Sequence, residues 1–195
     1  MKNFSKVIFT LYLEKLIKLM KSPKQFIEAA GFLYLQPYQW DSFDLDQDQE
    51  EEIVFLQEDI LGREYILLNI INKNEQNFNL IQEKIQESYF NSHNSILYPS
   101  RPLKLLDLTG DSVPEILLFL NSGRYGAHLH VFEYKNRNLQ RVLYIDEFKY
   151  PKYIFTDTNK NLIPEIIIKD VGVKYEYDKK TNSFIKIKEV ETAYK

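Results

Sequence analysis

The sequence predicts a mainly β fold: about three similar four-stranded antiparallel units behind an N-terminal amphipathic helical segment. Three observations carry that expectation. An acidic loop running straight into an apolar strand occurs three times, as DLDQDQEEEIVFL from Asp44, DLTGDSVPEILLF from Asp107 and DTNKNLIPEIIIK from Asp157. Each is followed by alternating apolar segments joined by Asn- or Lys-rich turns, which is the signature of hairpins. The composition is rich in residues that suit a pleated surface, with 14 Tyr and 13 Phe among 195 residues. A chain of this length buries about 70% of its unfolded surface, so one domain is expected.

In chain order, Val7, Ile8, Leu11, Leu16, Ile17, Leu19 and Met20 recur near helical spacing between lysines, predicting an amphipathic helix over 4–20. Ser22 then Pro23 fits a helix cap followed by proline at the first helical position, and Gly31 fits the end of a second short helix. Residues 1–31 therefore read as a helical segment and 32–195 as the β-repeat domain, with units of about 32–97, 98–147 and 148–195. Hairpins are expected at ILLNIINKNEQNFNLI from Ile66, HLHVFEYKNRNLQRVLYI from His128 and VKYEYDKKTNSFIKI from Val173. The loops start 63 and 50 residues apart, and the longer interval contains a polar insertion placed at Glu83 to Asn94. Four strands per repeat at a period near 50 residues predict propeller-like blades, so a partial β-propeller is the expected architecture.

The loops carry the chemistry. Oxygen-bearing side chains fall at positions 1, 3 and 5 and a carboxylate at position 9: Asp44, Asp46, Asp48 and Glu52; Asp107, Thr109, Asp111 and Glu115; Asp157, Asn159, Asn161 and Glu165. Alternate side chains of a tight turn converge on one centre, and an all-oxygen set of this kind is what Ca²⁺ prefers. Two carboxylates about 5 Å apart repel by on the order of 3 kcal/mol at an effective dielectric of about 20, so the four acids of loop 1 gain most from a cation. The alternative is that the same residues make metal-free turns by bonding their own backbone. An EF-hand is excluded because the closing Glu sits at position 9 rather than 12.

These loops, with the shared P-E-I-[LI]-[LI] ending of the second and third, resemble the FG-GAP/VCBS repeat of integrin-α-type β-propellers. The resemblance covers roughly 32–189 and implies a calcium-binding blade fold used in adhesion or recognition at cell surfaces. The sequence departs from it in two ways. Position 6 is Gln49, Ser112 and Leu162 where the family usually has Gly, which forces a positive φ on residues that tolerate it less. Three units also fall short of a ring of four to eight blades, which leaves an open partial propeller capped by its own helices, or half of a dimer.

The net charge of −3 lacks the basic field of a nucleic-acid binder. Residues 1–24 alone hold six Lys and one Glu, a net of +5 that leaves −8 for the rest. That helix fits either packing over the blades or peripheral contact with an anionic membrane. Its apolar run is broken by Glu14 and Lys15, unlike a signal peptide. The absence of Cys excludes disulfides, thiolate metal sites and thiol catalysis. His128 and His130 form H-x-H on a predicted strand, two ligands of a zinc site with no third in view. NSGRYGAH from Asn121 reads as a strand-to-strand loop rather than a phosphate cradle, and no catalytic signature is present.

Trp40 and the tyrosines are candidates for an aromatic binding platform, although core packing accounts for most of them. The functional expectation is a non-catalytic calcium-binding module recognising a protein or carbohydrate, placed at the cell envelope or outside the cell. The alternatives are a metal-independent scaffold whose basic helix docks a partner or membrane, and a metal-dependent hydrolase built on His128 and His130.

Overall fold

The computed structural model describes residues 40–58, 65–74, 77–86, 103–122, 126–148, 152–169 and 171–188. The helices expected over 1–31 lie outside the described residues. Those described form twelve strands: β1 (Trp40–Phe43), β2 (Glu52–Glu58), β3 (Tyr65–Asn74), β4 (Asn77–Gln86), β5 (Leu103–Leu106), β6 (Glu115–Ser122), β7 (Gly126–Lys135), β8 (Asn138–Phe148), β9 (Tyr153–Thr156), β10 (Glu165–Ile168), β11 (Val173–Asp178) and β12 (Ser183–Lys188). They make three four-stranded antiparallel sheets in plain sequence order, β1 to β4, β5 to β8 and β9 to β12. Each sheet is an open meander, and the acidic loop always connects its first strand to its second.

The chain divides into two compact units, Met1–His93 with the first sheet and Asn94–Lys195 with the other two. Within each sheet the second strand is buried on both faces, as Ile53 to Leu56 in β2, Ile116 to Leu120 in β6 and Ile166 to Ile168 in β10. That double burial explains why these segments read as continuous apolar runs instead of alternating ones. The opening strands are short and half-exposed, with alternating burial in β1 and β9.

In the second unit one face of each sheet contributes to a shared core. Leu117, Phe119, Leu129, Val131 and Ile145 from the β5–β8 sheet pack with Ile166, Ile168, Val173 and Tyr175 from the β9–β12 sheet. Phe119 meets Tyr153 with ring centroids 5.6 Å apart and Phe155 edge-on at 6.1 Å. Such pairs add about 0.5–1.5 kcal/mol to the area they bury.

The three expected hairpins are present. Asn136 and Arg137, both at positive φ, make the two-residue turn between β7 and β8 whose twist matches the flanking strands. One boundary differs from expectation. The segment read as a polar insertion from Glu83 begins inside β4, which runs to Gln86, because the β3 register carries Leu68 opposite Glu83 and Ile66 opposite Ile85. Gln82, Glu83 and Lys84 are exposed while Ile85 is buried, so this is an edge strand whose polar stretch resembles a loop in sequence.

Candidate metal centre

Asp44, Asp107 and Asp157 occupy equivalent corners of the three sheets, and the loops that follow them are closed by the same hydrogen bonds. The position-1 carboxylate accepts from the backbone N–H of position 6 through its Oδ2: Gln49 at 3.0 Å, Ser112 at 2.9 Å and Leu162 at 2.8 Å. Its Oδ1 takes a second amide, from Asp48 in loop 1, Gly110 in loop 2 and Asn161 in loop 3. The position-5 Oδ1 accepts from the amide of position 7, at Glu50, Val113 and Ile163.

The closing glutamate at position 9 then reaches back to position 2. Glu52, Glu115 and Glu165 each accept the backbone N–H of Leu45, Leu108 and Thr158 at 2.6 Å. This bond ties the start of each second strand to the entry of its loop, and it places a carboxyl that is almost fully buried at the base of the turn.

Two left-handed residues complete the turn. Position 4 has φ of 62° to 73° at Gln47, Gly110 and Lys160, and position 6 has φ of 70° to 74° at Gln49, Ser112 and Leu162. The strain expected from the missing position-6 glycine is therefore present. It falls hardest on Leu162, a branched side chain that is 90% exposed and has no packing to offset it. Gly110 answers a different need: a Cβ there would lie 2.7 Å from Ile163 Cγ1, so loop 2 and the end of loop 3 approach too closely for a side chain.

Within this common frame the loops differ in what they present. In loop 1, one oxygen each from Asp44, Asp46 and Asp48 lies within 4.8 Å of the others. Oxygens about 2.4 Å from a shared calcium are separated by at most about 4.8 Å, so the three fit one coordination sphere. Among the described residues this is the one such group of three acidic or histidine side chains. Glu52 is not in the triplet but borders it. Its charge is felt with those of Asp46, Asp48 and Asp44, and its Oε1 is buried without a hydrogen-bond partner.

In loop 2 the Thr109 hydroxyl donates to Glu115 Oε1 at 3.2 Å, so that oxygen is already engaged. In loop 3 Asn159 and Asn161 both spend their Oδ1 on amides of the turn itself, at 3.0 and 2.8 Å.

Burial pushes the Glu52 carboxyl up from 4.5 to about 7; the Leu45 amide works against this, and the three neighbouring aspartates add to it. Glu115 rises to about 7 for the same first reason, opposed by the Leu108 amide and Thr109 hydroxyl and reinforced by Asp111 and Asp107. Both groups gain from a cation, which would replace the water that burial removed.

One residue that loop spacing does not reveal joins the site from outside it. Asn72 on β3 is fully buried and donates through Nδ2 to Asp46 Oδ2 at 3.0 Å. It sits 26 residues beyond Asp46, across the sheet. The signal that would have flagged it is an Asn directly after the apolar run of β3, in LNIINKN from Leu68. Asn69 on the same strand has its needs met inside the sheet, by the Leu67 carbonyl and the Gln82 amide.

His128 and His130 share a face of β7 and stack with ring centroids 6.4 Å apart, but both are buried. Tyr144 hydrogen-bonds His128 Nδ1, and Asp146 approaches its Nε2 at 3.5 Å. His128 thus has both nitrogens facing protein groups, and no group of three ligands gathers around the pair among the described residues.

No protein-family model matches the sequence, and no curated protein matches it. Among solved structures the chain is similar to the rhamnogalacturonan lyase YesW, with a TM-score of 0.46 and 9% identity over 71% of this chain. The similarity spans 29% of the lyase, and at that level its activity is a property of that enzyme alone.

Proposed function

We propose that this chain is a calcium-binding β-repeat module of the FG-GAP/VCBS kind, its three meanders acting as blades of a partial propeller, that recognises a protein or carbohydrate outside the cell or at its envelope. The observation that carries this reading is the Asp44, Asp46 and Asp48 triplet, whose oxygens fit one cation sphere. The donor set is hard oxygen throughout, and the buried Glu52 Oε1 without a hydrogen-bond partner stands beside three aspartates, whereas the equally unpartnered Glu165 Oε1 of loop 3 has one, Asp157. Asp44, Asp46 and Asp48 would hold the ion, which would supply neutralisation of loop 1 and a fixed shape for its tip.

The test is thermal melting in EDTA and in calcium. With a dissociation constant of about 0.1 mM, as for extracellular modules, about 1 mM calcium adds roughly 1.4 kcal/mol and raises Tm by about 3–6 °C. Superimposed curves would remove the metal from this reading.

A second reading is favoured for loop 3 by a specific observation. Every side-chain oxygen at its positions 1 and 5, and that at position 3, already accepts an amide of the same turn. Loop 3 then works as a metal-independent scaffold turn, and the module is one of mixed loops.

A further inference from the structure

We infer that the ion site has a further donor position that lies across the sheet from the closing glutamate, filled in loop 1 by Asn72; this rests on the calcium reading of that loop. The register sets the position. Ile53 pairs with Ile71, which brings Glu52 level with Asn72; Ile116 pairs with Phe132, which brings Glu115 level with Glu133; and Ile166 pairs with Tyr175, which brings Glu165 level with Glu176. All three sheets therefore hold an oxygen-bearing side chain at the same place on the third strand. Directly opposed residues of an antiparallel pair have Cβ atoms about 4.5–5.5 Å apart, so each faces the base of its own loop.

The identities follow the charge of the loop they serve. Loop 1 brings four carboxylates and its cross-strand residue is the neutral Asn72. Loops 2 and 3 bring three and two, and theirs are Glu133 and Glu176. Each added carboxylate also has a lysine beside it on its own strand, Lys135 at 3.6 Å and Lys174 at 2.5 Å. Those lysines meet the charges of Glu133 and Glu176, whereas the neutral Asn72 adds none to the four acids of loop 1.

Asn72 is suited to both states of loop 1. Without an ion its amide N–H₂ donates to Asp46. The amide is nearly isosteric about its own axis, so turning it over presents Oδ1 in place of Nδ2 with no change of backbone. With an ion on Asp46 the donor is no longer needed there, and the oxygen becomes the useful end. Calcium takes six to eight oxygens, and loop 1 alone leaves room for another protein ligand.

The test uses Tb³⁺ as the calcium probe at one equivalent, with luminescence excited through Trp40, the single tryptophan of the chain, on the strand that enters loop 1. Decay lifetimes in H₂O and D₂O count the waters bound to the metal. Asn72→Ala is expected to raise that count by one and weaken binding about tenfold. Asn72→Asp is expected to keep the wild-type count and tighten binding, and it preserves the volume of a buried site in case the alanine variant does not fold. A wild-type water count in the alanine variant, or an aspartate variant that gains a water, overturns the inference. Wild-type protein with no Trp-sensitised emission overturns the calcium reading of loop 1 itself, and this inference with it.

Discussion

At positions 1, 3 and 5, loop 1 carries three aspartates, whereas loop 3 carries Asp157, Asn159 and Asn161. Both are nevertheless closed by the same amide bonds to position 1, the same bond from position 7 to position 5 and the same 2.6 Å bond to the closing glutamate. The turn therefore needs an oxygen at each of these places and is indifferent to charge, because a backbone N–H is satisfied equally by a carboxylate or an amide oxygen. Only an ion needs the charge. Loop 1 has more of it than turn formation uses, and that surplus is what distinguishes an ion site from a turn that shares its outline.

The largest effect expected from this contrast is on pH in ion-free protein. Glu52 and Glu115 have folded-state values near 7 against 4.5, so the folded state holds their protons more tightly than the unfolded one. Their contribution favours folding below the unfolded value and is lost as pH rises toward about 7. Melts in EDTA should give a higher Tm at about pH 5 than at about pH 8, and Glu52→Gln with Glu115→Gln should flatten the profile. Calcium should reverse the trend for wild type, since an ion rewards the charged form. A Tm that climbs steadily with pH in EDTA would show that these carboxyls are not the groups in control.

Next in size, Asp157→Ala removes the acceptor for two amides of loop 3 and is expected to cost about 1–2 kcal/mol equally with and without calcium. Asp44→Ala removes the equivalent bonds and should also abolish the calcium response. Denaturant titrations of both variants in each condition separate the turn from the site. Equal calcium dependence of the two would show that loops 1 and 3 do not differ in ion binding.

A finer test removes charge while keeping the turn. Asp46→Asn should leave the protein in EDTA at least as stable as wild type, because it relieves carboxylate repulsion, and eliminate the gain of about 1.4 kcal/mol in calcium. The smallest expected change is stabilising. Leu162→Gly relieves a left-handed leucine with no buried surface to lose, and should add about 0.5–1 kcal/mol independent of calcium. A loss on that substitution would mean that the exposed leucine packs against something when the protein is at work.

The parts of this arrangement that were legible in the residues are those governed by short range. Aspartates and asparagines bonding amides two to five residues ahead announce the loops, the Asn136 and Arg137 turn announces its hairpin, and the apolar runs announce the doubly buried second strands. The short strands in front of the loops were harder to see, because four half-exposed residues carry little periodicity. The burial of His128 and His130 was hidden too, since H-x-H fixes that two side chains share a face and says nothing about what covers it.

Asn72 marks the boundary most clearly. The residue level with the closing glutamate lies 20, 18 and 11 positions downstream in the three sheets, because the connection between the second and third strands varies in length. No fixed spacing could expose it. By itself the sequence determined the repeat, the shape of its turns and the excess charge of loop 1, all of which depend on neighbours a few bonds away. Which side chain stands beneath that charge was decided by strand register, and register is set by the packing of whole sheets rather than by any local run of residues.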